Sequence, residues 1–159
     1  VSTDKDLMQL VSEKDSKLRV CQWIDKKELM MDADEVVKKF GVPPSQMCDF
    51  LALTGDSSDD VPGVPGVGPK TAAKLLGAHP DLESILTSTS AMKKTKVRQS
   101  LIDNADIARR ALELVTLRTD VPLEPTCIRG SLPDFKSDKL DAFLEEWNLE
   151  KIKQRVQFR

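Results

Sequence analysis

The sequence predicts a mostly helical protein, the helical half of an α/β fold. Three observations point there. Apolar residues recur at positions 97, 101, 105, 108, 112 and 115, and spacings of three and four put them on one face of a helix. Helix starts and stops punctuate the chain, with hydrogen-bond acceptors or proline ahead of apolar stripes and glycine behind them. Alternating stretches that would make strands are few, and there is no internal repeat or low-complexity tract.

In chain order, Asp4-Lys5-Asp6-Leu7 begins a short helix that Ser2 or Thr3 is placed to cap, with Leu7, Leu10 and Val11 as its apolar residues. Residues 17–24 alternate loosely through Leu18, Val20 and Trp23 and predict a short strand. Asp32 followed three residues later by Glu35 has the form of a capping box. It opens a helix carrying Val36, Val37 and Phe40, which Gly41 and Pro43 stop. Pro44 suits the start of the next helix, whose stripe of Met47, Phe50, Leu51 and Leu53 ends at Gly55. Residues 56–69, rich in glycine and proline, predict a loop, followed by short helices over 70–76 and 81–86. Residues 97–117 predict one long amphipathic helix, residues 138–147 another, and a basic segment over 151–159 closes the chain.

Composition narrows the class. With 159 residues, 40% of them hydrophobic and 31% charged, the chain can bury a core and keep a charged surface. No apolar run approaches a membrane span, and the first residues lack the pattern of a signal peptide. Cys21, Cys48 and Cys127 are odd in number and lack metal-type spacing, which predicts reduced thiols in an intracellular protein. A formal net charge of −2 offers no global attraction to nucleic acid, but the charge is segregated. Lys70, Lys74, Lys93, Lys94, Lys96 and Arg98 stand against only Asp81 and Glu83 between positions 66 and 98, while residues 55–60 hold three aspartates and no base. Opposite signs in adjacent segments suit a protein that holds cations in one place and phosphates in another; an ordinary solvated surface is the competing explanation.

The segment Pro65-Gly-Val-Gly-Pro-Lys-Thr-Ala-Ala-Lys-Leu-Leu76 describes a tight turn followed by a helix. Gly66 and Gly68 permit positive φ and remove side chains from the path of an approaching phosphate. Pro69 suits the first helical position, and the free N–H groups of that first turn make an anion site. Lys70 and Lys74, one turn apart, add charge; Val64, Val67, Ala72, Leu75 and Leu76 would pack the hairpin on the preceding helix. The pattern resembles the helix-hairpin-helix family, which binds DNA backbones without reading bases and often holds a K⁺ ion on the hairpin carbonyls. That resemblance implies DNA contacts from Gly66, Val67, Gly68, Lys70, Thr71 and Lys74. A structural αα-hairpin is the ordinary alternative.

Two aspartate pairs stand out: Asp4 with Asp6, and Asp56 with Asp59. Three-residue spacing on a turn can aim two carboxylates at one hard cation. Each pair also has an ordinary explanation, Asp4 as a helix cap, and Asp56 and Asp59 as turn formers. The order of Thr3-Asp-Lys-Asp-Leu, Phe40-Gly-Val-Pro-Pro, Leu51-Ala-Leu-Thr-Gly-Asp-Ser-Ser-Asp, the hairpin and Arg118-Thr-Asp-Val-Pro-Leu-Glu is similar to the 5′-nuclease domain of bacterial DNA polymerase I and its stand-alone exonuclease relatives.

The resemblance covers residues 1 to about 123 and runs more loosely to 149. It implies that residues 1–31 are the end of a PIN-like α/β core and that residues 32–159 are a helical domain with its helix-hairpin-helix at about 44–77. It further implies a two-metal site for Mg²⁺ or Mn²⁺, with Asp4, Asp6, Asp56 and Asp59 as ligands. The activity expected is 5′-3′ exonuclease or 5′-flap endonuclease action on DNA. Asp60 stands where that family usually has Asn. Family members carry a further N-terminal half, with an arch and more carboxylates, that does not precede Val1, so this sequence is expected to be a piece of such a nuclease with little activity alone. A non-catalytic DNA-binding module and a helical protein-interaction domain are the competing readings. His79, between helices, is expected to be structural.

Overall fold

The computed structural model describes residues 1–13, 15–17, 19–122 and 138–157, with residues 154–157 as backbone only. Leu18, residues 123–124, Cys127 and the last two residues of the basic segment lie outside these. The chain divides into two compact units, Val1–Thr119 and Asp120–Arg159.

The first unit opens with a 3-10 turn, Asp6–Leu10, where a short α-helix is expected. Neither Ser2 nor Thr3 caps it. Asp4 Oδ1 accepts the amide of Asp6 at 3.0 Å, and Ser2 Oγ accepts the amide of Asp4 at 3.1 Å, so the two side chains form a relay into the turn. Met8 and Val11 are its buried residues, whereas Leu10 faces solvent. Gln9 ties the turn down: its Nε2 donates to Asp6 O and Val115 O, and its Oε1 accepts from Leu117 N. The expected strand shrinks to β1, Gln22–Ile24, which pairs antiparallel with β2, Leu29–Met31, in the register Gln22 with Met31 and Ile24 with Leu29. A 3-10 turn, Asp25–Lys27, and Glu28 in the left-handed region (φ 48°) join them.

Helix α1, Ala33–Phe40, starts on Asp32, whose Oδ1 accepts the Glu35 amide at 3.0 Å. Only this half of the capping box forms, because the Glu35 carboxylate pairs with Lys38. Gly41, at φ 77°, ends α1 as sequence predicts. A 3-10 turn, Pro44–Gln46, leads into α2, Met47–Thr54. Helix α2 is central: Met47, Ala52 and Leu53 have no solvent exposure and Phe50 and Leu51 almost none. Each of Met47, Phe50, Leu51 and Leu53 contributes roughly 1.5–3 kcal/mol by leaving water.

After the hairpin come α3, Pro69–Ala78, and α4, Leu82–Ser88. Gln46 Nε2 donates to Leu76 O, His79 O and Pro80 O, which satisfies the carbonyls at the end of α3. The His79 ring lies against Ser88 Oγ, 3.3 Å from its Nε2.

The single long helix expected over 97–117 is two helices, α5, Lys96–Asp103, and α6, Ala105–Val115. Asn104 breaks the run at φ −117° and ψ 21°, with its Nδ2 bonded to Ser100 O. Asparagine competes for backbone groups in this way, and the apolar spacing passes through the break unaltered. Leu101, Ala108 and Val115 from that spacing are buried. The second unit contains α7, Asp138–Glu146, and α8, Glu150–Gln157, with Lys153 paired to Glu145.

Candidate metal pocket and nucleic-acid interface

Helix α2 delivers the first carboxylate. Gly55 leaves the helix at φ 74°, and a Cβ on Gly63 would lie 2.3 Å from Thr54 C and 2.5 Å from Gly55 N. No side chain fits between those strands of backbone, so the loop can close only as glycine on glycine. Asp56 and Val61 then exchange both backbone hydrogen bonds, each at 2.9 Å. Asp56 is pulled under the loop to 2% exposure, where its Oδ1 accepts the amide of Ser58 at 2.9 Å. Sequence reasoning misses Gly63, although the Gly55–Gly63 frame around five polar residues is its signal. Asp60 sits on the loop in the left-handed region, φ 54°, and faces solvent; Asn and Asp both tolerate that backbone, which accounts for the residue type.

The 3-10 turn brings the other pair. Lys5, between Asp4 and Asp6, reaches 51 residues along the chain to place its Nζ 2.6 Å from Asp56 Oδ1. Burial pushes the Asp56 carboxyl up, but Lys5 and the Ser58 donors outweigh it and hold the group below the usual carboxylate value. Asp6 moves the other way. Burial raises it first, and the negative charges of Asp4, Asp56 and Asp59 raise it further, with Lys5 opposing. One Asp6 oxygen, Oδ1, is buried with no hydrogen-bond partner. Asp4 and Asp59 are exposed.

The four aspartates predicted from sequence therefore share one electrostatic neighbourhood at the end of α2. Among the described residues, however, no group of three or more His, Cys, Asp or Glu side chains is set to hold a metal ion. A buried carboxylate oxygen without a donor, in the negative field of three further aspartates and beside a lysine already paired with one of them, is chemistry that suits a cation.

The hairpin lies beyond Gly63. Val64 donates to Leu53 O, Val67 donates to Val64 O, and Gly68 O accepts from Thr71 and Ala72. Gly66 adopts φ 80°, while Gly68 has an ordinary φ of −86°. An added Cβ at either would meet nothing within 4 Å. Packing inside the protein therefore does not require the missing side chain at Gly68. The amides of Gly66, Gly68 and Lys70 donate to no acceptor among the described residues, whereas that of Thr71 is already committed to Gly68 O. Val67 is buried and shapes the turn; Lys70 and Lys74 are exposed and Thr71 is half-buried. The hairpin is thus a glycine bend with three unspent amides at the start of α3 and lysines beside them, an arrangement that takes an anion.

The family described as 5′-3′ exonuclease, C-terminal SAM fold, matches residues 42–155. The chain belongs to this family. The match takes in Asp56, Asp59, the hairpin and α2 to α7, and it begins after Asp4 and Asp6.

DNA polymerase I of Rhizobium leguminosarum is 42% identical over 156 residues, covering 98% of this chain and 15% of that polymerase. DNA polymerase I of Bacillus subtilis is 34% identical over 155 residues, 98% of this chain and 18% of its own length. Flap endonuclease Xni of Shewanella oneidensis is 38% identical over 123 residues, 77% of this chain and 45% of that enzyme. The chain therefore spans a minor part of each relative. Among solved structures, bacteriophage T5 5′-exonuclease with bound zinc superposes at a TM-score of 0.64 and 23% identity, over 72% of this chain and 41% of its own. The T5 flap endonuclease in a complex with DNA and metal ions also gives a TM-score of 0.64, at 22% identity over 72% of this chain and 40% of that one. At these identities the likeness establishes the helical fold.

Proposed function

We propose that these 159 residues form the DNA-gripping part of a metal-dependent 5′-3′ exonuclease or 5′-flap endonuclease that hydrolyses DNA phosphodiester bonds in replication or repair. The observation that carries this is the hairpin: Gly68 leaves the backbone bare where the protein itself has room for a side chain, next to amides and lysines that have no partner among the described residues. Gly66, Gly68 and Lys70 would take a backbone phosphate through their N–H groups, and the Lys70 and Lys74 ammonium groups would neutralise it. Thr71 adds a hydroxyl, and Val67 holds the bend in place. K⁺ would sit on hairpin carbonyls such as Pro65 O or Val64 O, each of which already accepts one hydrogen bond and keeps a second lone pair.

Asp4, Asp6, Asp56 and Asp59 would hold Mg²⁺ or Mn²⁺, with Asp6 Oδ1 gaining the partner it lacks and Lys5 giving way at Asp56. Bound there, a divalent ion supplies charge neutralisation and a water activated for attack on a phosphodiester. Among the described residues no three carboxylates are set around one ion, so the remaining ligands would come from protein outside them, in the same chain as in the polymerase relatives. Residues 1–31 then belong with that α/β core and residues 32–159 with the DNA-binding domain.

The sparse ligand set also favours a second reading, a helix-hairpin-helix module that binds DNA without cutting it. Mn²⁺ titration by calorimetry separates the two. The nuclease reading expects binding that Asp6→Asn and Asp56→Asn each weaken at least about tenfold; no Mn²⁺ binding, with duplex binding retained, leaves the module. Incubated with a 5′-flap substrate and Mg²⁺, the purified chain should show little or no cleavage, and robust cleavage would overturn the need for outside ligands.

A further inference from the structure

A second basic element flanks the hairpin. Between Glu83 and Asp103 the chain has no acidic residue, and it carries Lys93, Lys94, Lys96 and Arg98. The segment joining α4 to α5 is built rather than loose. Met92 is partly buried against the core, and its amide donates to Thr89 O. Arg98 Nε donates to Thr89 O at 2.6 Å, which spends the arginine on the loop itself. Thr95 caps α5 by accepting the Arg98 amide at 3.2 Å. With Met92 turned in and Arg98 committed, Lys93, Lys94 and Lys96 are left exposed, and none has an ionic partner among the described residues.

The loop is also registered to the hairpin. Ser100 Oγ donates to Pro65 O at 2.6 Å, on the residue before Gly66, and Lys96 lies one helical turn from Ser100 on the same side of α5. A lysine side chain spans such a turn of 5.4 Å.

We propose that Lys93, Lys94 and Lys96 form a second grip on the sugar-phosphate backbone of the duplex held by the hairpin. The inference rests on the reading of the hairpin as a DNA clamp and widens its footprint. Charge on exposed, unpaired lysines reads no sequence, so the contact sets register and affinity only.

The test is fluorescence anisotropy of the 159-residue chain on a labelled duplex between about 50 and 200 mM salt. Replacing Lys93, Lys94 and Lys96 together by alanine should weaken binding at least about tenfold at the low end. It should also flatten the plot of log affinity against log salt by about two to three, near 0.9 per lost phosphate contact. The same three positions as arginine should restore wild-type affinity, and the thermal midpoint of all variants should be unchanged. Gly68→Glu, which φ permits, tests the clamp independently. If it abolishes binding while the triple alanine variant keeps the wild-type slope, the second grip is wrong and the clamp stands. If Gly68→Glu binds as wild type, or the wild-type chain does not bind duplex, the clamp falls and takes this inference with it.

Discussion

Asp49 occupies a position where charge is costly. Burial raises its carboxyl above the ordinary value, the Leu82 amide, donating to its Oδ1 at 2.9 Å, opposes that, and Asp81 adds to it. A raised folded value means the folded state binds the proton more tightly, so the ionised form subtracts stability above that value. Asp49→Asn keeps the acceptor and removes the charge. It should raise the thermal midpoint at neutral pH, and the gain should vanish as pH falls from the folded value to that of an unfolded aspartate. Asp49→Ala leaves the Leu82 amide unpaired in the core and should cost about 1–3 kcal/mol; calorimetry across pH reads both. Lys5 carries the opposite expectation. Without divalent ions Lys5→Met leaves Asp56 charged and buried. The 3–5 kcal/mol typical of a broken buried pair should shrink to about 2 because Lys5 is 35% exposed. Urea melts in chelator measure this, and an unchanged midpoint would show the pair to be incidental.

At the level of elements, the glycines sort by what lies where a Cβ would be. Gly63→Ala drives a methyl into backbone on both sides and should destabilise by about 1–3 kcal/mol while disturbing the Asp56 loop. Gly66→Ala meets nothing but must hold φ at 80°, a cost of about 1 kcal/mol. Gly68→Ala should fall within about 0.5 kcal/mol of wild type. A Gly68→Ala protein as unstable as Gly63→Ala would mean that the hairpin glycine is structural. The same elements show what a sequence can and cannot disclose. Helices α1 to α3 are legible because local chemistry bounds them: Asp32 caps α1 with its own carboxylate, and Gly41, Pro44, Gly55 and Pro69 act through their own backbone. The division at Asn104 is hidden, because the apolar stripe continues across it and only a side-chain bond to Ser100 marks the break. The aspartates are legible as pairs, yet Lys5 as their counter-ion and Gly63 as the lock on their loop depend on contacts between distant residues, which spacing does not encode.

Over the whole molecule, the pocket and the hairpin hang on a single core. Every member of the buried apolar cluster, from Met8 to Val115, lies within the unit Val1–Thr119, and the metal pocket, the hairpin and the basic loop lie there too. In the second unit Leu144 is buried, whereas Phe143, Trp147 and Ile152 remain exposed. A chain ending at Thr119 therefore keeps every side chain to which, among the described residues, the candidate sites are tied. Its thermal midpoint should lie within about 4 °C of that of the 159-residue chain, the shift that ~1 kcal/mol produces in a domain of this size. Duplex affinity should change by less than about threefold, since the lysines and unspent amides of the hairpin and loop are all retained. Differential scanning calorimetry and anisotropy on the two chains decide the matter. Loss of the cooperative transition on removing residues 120–159 would show that the first unit draws its stability from the second, and a selective loss of DNA binding would place part of the grip on α7 or α8.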